Sequence, residues 1–317
     1  MTLTPAPRGV IAPGHVFLDD RGDIAQLHGV GIQYLDGRYY AWGEDKTRGN
    51  TFAGVACYSS PDLATWTFHG HALEVDPQIP DLGPDRVIER PKVLRNPDGR
   101  YVMFLHVEST DYSYARVGWA VADRPEGPFT YLRSERPLGN ISRDIGVFAD
   151  DDGTGYLLSE DRENGLHVYR LSADYLAVEE IVATTLTPPS DHPAGPHGYE
   201  SPAMVKTGGL YYLFGSELSG WATNDNQYAT APTPAGPWSD WRDFAPPGSA
   251  TFDSQISTVV PVAQDGREAF VFVGDRWIPE KLGDSAPVWL PMHIGDGEAE
   301  VLWREEWTLA DLFEHVR

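Results

Sequence analysis

The stretch DIGVFADDDGTGYLLSEDRENGLHVYRLSADYLAVEEIVAT, residues 144–184, alternates apolar and polar residues and is broken at intervals by turn-forming pairs. Period-two alternation between such breaks marks antiparallel strands, here IGVFA, GYLLSED, GLHVYRLS and AVEEIVAT, which form a four-strand meander. In the first break, Asp151-Asp152-Gly153, glycine supplies the positive φ that other residues adopt only at a cost. The run of aspartates is a turn rather than a calcium loop, because the other ligands of an EF-hand are missing.

The same phrase recurs along the whole chain. YYAWGED, YVMFLHV, GYLLSED, LYYLFGS and AFVFVGD are its central strands, and Tyr40, Tyr101, Tyr156, Tyr212 and Phe270 stand 61, 55, 56 and 58 residues apart. That interval accommodates one four-stranded sheet, and no sheet of this kind buries both faces alone. Five of them arranged radially predict an all-β, five-bladed β-propeller forming a single domain over 1–317. The blades fall near 28–75, 89–138, 144–187, 200–246 and 255–307. Two longer insertions, Asp76 to Ile88 and Thr185 to Tyr199, have the length of loops that shape binding sites. TLADLFEHV, near the end, reads as a helical C-terminal cap.

Composition narrows the partners. Aromatic residues make up 12% of the chain, enough to fill strands and still supply binding surfaces, and the formal charge is −23. That charge repels polyanions, so nucleic acid and anionic membranes are excluded as partners, while a neutral ligand such as carbohydrate fits. The sequence says nothing of oligomeric state. Cys57, the single cysteine, cannot form an internal disulfide and reads as a buried small hydrophobe. The first residues lack the basic and apolar regions of a signal peptide, so the expected location is the cytoplasm, or outside the cell if a leader has been removed.

The repeat also serves as a ruler. At the start of the first strand of blades two to five stand Glu89, Asp144, Glu200 and Gln255, spaced 55, 56 and 55 residues apart, with His28 at about the same phase in blade one. First strands line a propeller axis, so residues at one phase converge on one mouth of the channel. Turn capping gives no reason for acids to recur there, and crowding like charges is costly without a function. Paired carboxyl groups at a concave mouth suit glycoside hydrolysis, in which one protonates the departing oxygen and another group activates water or attacks. Like-charged neighbours raise the pKa of the acid. Trp221, Trp277 and Trp289 are candidate faces for a sugar ring, with core packing an equal alternative for each.

At RDIGVFADDDGTGYL, YESPAMVKTGGLYYLF and YSSPDLATW the chain resembles glycoside hydrolase family 43, whose members are five-bladed propellers. The resemblance implies Glu200 as general acid and Asp144 as the residue that tunes its pKa. It also exposes a departure, since the usual blade-one base is an Asp and QLHGVGI offers no carboxylate. Together HGVGI, WGED, ERPKV, SRD, SGW, TFDSQ and GDRW are similar to the exo-β-1,3-galactanases of the family, which also lack that Asp. In that subgroup the water-activating residue corresponds to Gln255, acting through an imidic-acid tautomer, while Glu89 binds sugar hydroxyls or itself serves as base. The same resemblance implies substrate contacts from Glu44, from Tyr112 or Tyr114, and from Trp221, Asn224, Arg276, Trp277 and His28. Arg90 and Arg143 either neutralise the ring acids or, because adjacent strand residues face opposite ways, pack between blades.

No cofactor is implied. Many family members hold a cation on the propeller axis with a blade-five His, but Gln255 stands at that phase, and His28 alone makes no metal site. His192 and His197 read as loop residues near the cleft. The expected activity is an inverting, exo-acting release of galactose from β-1,3-linked chains. The alternatives are an α-L-arabinofuranosidase or β-xylosidase of the same family, a sugar-binding propeller without catalysis, and a protein scaffold.

Overall fold

The computed structural model describes residues 3–185 and 198–314. The insertion between Thr185 and Tyr199, with His192 and His197, lies almost wholly outside these residues. Twenty strands form five antiparallel sheets, each of four strands in sequence order. The sheets span His28–Leu73, Val87–Glu135, Ile145–Thr185, Glu200–Asp243 and Gln255–Val301. Their first strands, His28–Leu35, Val87–Arg95, Ile145–Ala149, Glu200–Thr207 and Gln255–Gln264, touch one another in ring order, and the fifth returns to the first. This is the five-bladed propeller that the repeat predicts.

The core is divided among the clefts between blades, as radial packing requires. Five apolar clusters fill the five interfaces, for example Trp42, Met103 and Leu105 between blades one and two, and Phe214, Phe272 and Leu290 between four and five. Trp289 is 1% exposed in the interface between blades five and one, so it packs the core and offers no face to a sugar. Cys57 is fully buried and burial pushes its thiol up, consistent with a small hydrophobe. Each blade is built from one continuous segment, and the ends of the chain pair across the closing seam. Ile11 and Trp307 exchange backbone hydrogen bonds of 2.8 and 3.0 Å, and the Trp307 indole donates to the Trp289 carbonyl at 2.9 Å. The expected C-terminal helix is one short 3-10 turn, Leu309–Phe313, with Thr308 and Asp311 as a capping box.

One local feature decides the site. In blades one, two and four the first strand slips its register immediately after the ring position, between His28 and Gly31, Glu89 and Lys92, and Glu200 and Ala203. The residue following the ring position is left-handed in each, at φ 52° for Gly29, 50° for Arg90 and 53° for Ser201. A bulge of this kind re-aims side chains that a flat strand would send to alternate faces. For Arg90 and Ser201 it places a residue with a Cβ where L-residues are strained, a cost met at functional sites. Glycine is required in blade one for another reason: a Cβ on Gly29 would collide with Glu44 Oε1.

Candidate active site

A cavity of about 330 Å³ opens at the mouth where the ring residues begin their strands. Glu89, Asp144, Glu200 and Gln255 all line it, so four positions far apart in sequence and equal in repeat phase do converge. The second strand of each blade contributes its last residues at the same height. Register pairs Glu89 with His106, Glu200 with Ser216, Gln255 with Asp275 and His28 with Glu44, and Glu160 N donates to the Asp144 carbonyl at 2.9 Å. Glu44, His106, Glu160, Ser216 and Asp275 are therefore a second ring, spaced 62, 54, 56 and 59 residues apart. The same ruler laid on the second strands would have found His106, Glu160 and Asp275, which reading the first strands alone missed.

Glu200 is 4% exposed. Its Oε1 accepts hydrogen bonds from Gly220 N at 2.9 Å, Ser219 N at 3.2 Å and Gln255 Nε2 at 2.9 Å. Burial, then the charges of Glu160 and Asp144, raise its pKa well above the usual carboxylate range, against the pull of Arg90 and Arg162. With three donors on Oε1, the proton of the neutral acid belongs on Oε2. Asp144 is tuned the other way. Burial would raise it, but the Arg90 guanidinium, with Nε 3.0 Å from Oδ2, the His106 ring, and Ser201, whose N and Oγ donate at 3.0 and 3.1 Å, together hold it well below the usual range. Two neighbouring carboxyl groups are thus pushed apart in pKa, which assigns one the proton and the other the charge.

Gln255 is locked between donors and an acceptor. Its Oε1 accepts from Arg90 at 2.6 Å and from the Trp277 indole at 2.9 Å, so its Nε2 is the atom that faces Glu200. Arg90 lines the cavity beside Glu89 because of the bulge, which is why alternation alone left its face undecided. Arg143 also lines the cavity, and donates to the Tyr112 carbonyl at 2.6 Å.

Charge is balanced on the blade-one side as well. Lys46 Nζ lies 2.8 Å from Glu44 Oε2 and 3.3 Å from Glu89 Oε1. Burial opposes both ions of the pair, yet each sustains the other: Glu44 is lowered by Lys46 and Arg90, and Lys46 is raised by Glu44 and Glu89. Tyr112 donates to Glu89 Oε1 at 3.1 Å and lines the cavity, whereas the Tyr114 hydroxyl points away to Asp81 at 2.9 Å. Of the two tyrosines, Tyr112 is the one that lines the cavity. Trp221 and Trp277 form one wall, with ring centroids 4.8 Å apart and planes at 73°.

Besides Tyr114 and Trp289, three further sequence candidates stand outside the cavity lining. His28 is buried behind the Trp277 wall, 6.0 Å from that ring, with Nδ1 3.8 Å from Asp275 Oδ1. Asn224 ties the Ser216–Ser219 loop by donating to Ser216 Oγ, the Glu217 carbonyl and Ser219 Oγ at 3.0, 3.0 and 2.7 Å, and so supports the amides on Glu200. Arg276 donates to the carbonyls of Phe252 and Asp253 at 2.7 and 3.1 Å, fastening the left-handed turn before Gln255. In each case sequence proximity to a cavity residue did not reveal the direction of the side chain. Glu89, His106 and Asp144 have ligand atoms within 4.8 Å of one another, a group with the donor set for a cation, though Lys46 and Arg90 already occupy one oxygen of each carboxylate.

Comparison with known proteins decides the family. The model for glycosyl hydrolases family 43 matches residues 28–271, which takes in all five first strands. This chain belongs to family 43. A Bifidobacterium bifidum structure assigned as an exo-β-1,3-galactanase is 48% identical, with a TM-score of 0.87 over 94% of this chain and 97% of that one. The exo-β-1,3-galactanase of Phanerochaete chrysosporium, solved with galactose, is 36% identical, with a TM-score of 0.87 over 95% of this chain and 68% of that one. A β-D-galactofuranosidase of Aspergillus niger is 28% identical over 72% of this chain and 67% of its own length. As a family 43 glycosidase the chain acts on carbohydrate, and its cavity sets Glu200, a carboxyl of raised pKa, near Asp144, one of lowered pKa, within an aromatic wall.

Proposed function

We propose that this enzyme releases galactose from the non-reducing end of β-1,3-linked galactan or galacto-oligosaccharides, with inversion and with Glu200 as general acid. The observation that carries the reading is the Glu200 environment: a raised carboxyl whose Oε1 is held by three N–H groups, leaving Oε2 to present the proton to the cavity. Likeness to exo-β-1,3-galactanases over nearly the whole chain supports the choice of sugar and linkage. A cavity of about 330 Å³ at one mouth of the channel suits one terminal sugar ring, hence exo action.

In this reading Gln255 handles the attacking water through nitrogen rather than oxygen, since Arg90 and the Trp277 indole donate to Oε1. As Glu200 gives its Oε2 proton to the departing oxygen, Oε1 takes one proton from Gln255 Nε2. The resulting imidate oxygen lies against the Arg90 guanidinium. The nitrogen then takes the proton that water loses on attack, and amide and acid are both restored.

One observation favours a second assignment of the base. Gln255 touches Glu200 directly at 2.9 Å, whereas the two groups of an inverting pair are usually about 6.5–9.5 Å apart. Glu89 stands in blade two, with blade three between it and Glu200, and is the carboxylate that could act from across the mouth.

The test is hydrolysis of β-1,3-galactobiose in parallel with p-nitrophenyl α-L-arabinofuranoside, β-D-xyloside and β-D-galactofuranoside, with the anomer of released sugar read by NMR. Free α-galactose from the disaccharide is expected. Turnover of a pentoside or furanoside alone overturns the substrate, and the β-anomer overturns inversion. Binding of galactobiose without turnover supports the non-catalytic alternative. Gln255→Ala and Glu89→Gln, each assayed with and without azide as external nucleophile, identify the base as the variant that azide rescues.

A further inference from the structure

His106 is 1% exposed and is used by no step above, yet three carboxylates surround its ring. Nδ1 lies 3.4 Å from Glu89 Oε2 and 3.5 Å from Asp144 Oδ1, and Nε2 lies 3.7 Å from Glu108 Oε1. No polar atom of the described residues makes a hydrogen bond to either nitrogen. A neutral imidazole carries one lone pair, which in this setting faces a carboxylate oxygen whichever tautomer forms. Only the doubly protonated ring turns a proton toward an acceptor on both sides.

The other oxygens of these carboxylates are engaged elsewhere. Glu89 Oε1 meets Lys46 and Tyr112, Asp144 Oδ2 meets Arg90 and Ser201, and Glu108 Oε2 accepts the amides of Ser109 and Tyr114. Arg143 Nε stands 3.8 Å from Glu108 Oε1. The atoms left for His106 are therefore Glu89 Oε2, Asp144 Oδ1 and Glu108 Oε1, the last shared with Arg143. Glu160, one blade on, adds a further carboxyl with Arg162 bound to it at 2.8 Å.

We propose that His106 is a positioning residue, a buried imidazolium seated between Glu89 and Asp144 whose charge keeps Asp144 ionised so that it can act on Glu200. It rests on the reading of Glu200 and Asp144 given above. Without the ring charge, the inward oxygen of Asp144 faces that of Glu89, within 4.8 Å, with no cation between them, and only Arg90 and Ser201 remain to hold Asp144 ionised. The direction of the His106 pKa agrees: burial would lower it, but Asp144, Glu108 and Glu89 together lift it to about 9.

Three variants and two readouts test this. His106→Asn keeps a donor near Nδ1 without charge, His106→Gln keeps one near Nε2, and His106→Phe keeps neither. In all three the acid limb of the kcat/KM profile on β-1,3-galactobiose is expected to move up by about one pH unit or more, with the plateau reduced roughly 10–100-fold. A fall in activity with an unmoved acid limb, tracking a loss of melting temperature, means a packing role and overturns the proposal. Independently of any substrate, imidazole NMR of the wild type is expected to show one histidine protonated above pH 8, absent from His106→Asn. A ring that titrates near its ordinary value overturns the proposal. So does a bound divalent metal, measured per chain, whose removal by chelator abolishes activity, because the three ligand atoms then hold an ion in place of a proton. If the wild type cleaves no galactobiose, the substrate reading fails and the NMR result still decides His106.

Discussion

Replacing Glu200 by Gln isolates the proton from everything else that Glu200 does. The amide oxygen can keep the Oε1 position, where Ser219 N, Gly220 N and Gln255 Nε2 donate, so the local geometry is retained. What is lost is an acid at the Oε2 position. General acid catalysis contributes roughly 10²–10⁴-fold, or about 2.7–5.4 kcal/mol of barrier, so kcat on β-1,3-galactobiose is expected to fall by that factor. A 2,4-dinitrophenyl β-galactoside needs no proton on its leaving group, and the same variant should lose less than about tenfold on it.

Stability gives a second sign to check. The folded-state pKa of Glu200 is raised above its unfolded value, so its contribution to stability is present at low pH and lost as pH rises through the folded pKa. The neutral amide escapes that loss, and Glu200→Gln should melt no lower than wild type at pH 8. Equal losses on both leaving groups, or full activity on the disaccharide, would refute the assignment of Glu200 as the acid.

Other consequences separate neighbours that the sequence left alike. Tyr112→Phe removes the hydroxyl on Glu89 within the cavity and should raise KM for galactobiose about 5–50-fold, whereas Tyr114→Phe should leave kinetics unchanged and cost about 1 kcal/mol in chemical denaturation, from its bond to Asp81. Trp277→Phe keeps an aromatic wall but removes the indole bond to Gln255 Oε1, and kcat/KM is expected to fall about tenfold, with the disaccharide still bound. Lys92 is buried near the axis, its Nζ donating to the carbonyls of Gly29 and Val30 at 2.7 and 3.2 Å, and burial aided by Arg90 lowers its pKa to about 7. Between that value and its unfolded 10.5 the unfolded chain holds one more proton, so stability should gain up to about 1.4 kcal/mol per pH unit above pH 7 relative to Lys92→Met. Parallel slopes for the two proteins between pH 7 and 9 would contradict it.

The fold was legible because its signals are local and repeated: alternation within strands, Asp-Gly turns between them, and an aromatic strand at a near-constant interval. The ring of Glu89, Asp144, Glu200 and Gln255 was legible for the same reason, since a repeat converts equal phase into equal position about an axis. His106 and Glu160 obey that rule one strand further out and were readable in principle. His28 shares the phase too, yet the Trp277 wall stands in front of it, so phase places a residue at a height without saying whether its side chain reaches the cavity.

What the sequence by itself determined, then, is the number of blades, the mouth at which the acids gather and the absence of a carboxylate from the first strand of blade one, all of which depend on residue type and spacing. Only the tertiary structure decided the direction of side chains and the ownership of protons. Bulges at Arg90 and Ser201 break the alternation by which facing is inferred, and so bring Arg90 onto Asp144 and Gln255. Whether a buried carboxyl keeps its proton depends on charges contributed by other blades, Glu160 and Asp144 for Glu200, Arg90 and His106 for Asp144. Such energies vary with distance through a poorly screening interior, and those distances exist only once the ring has closed.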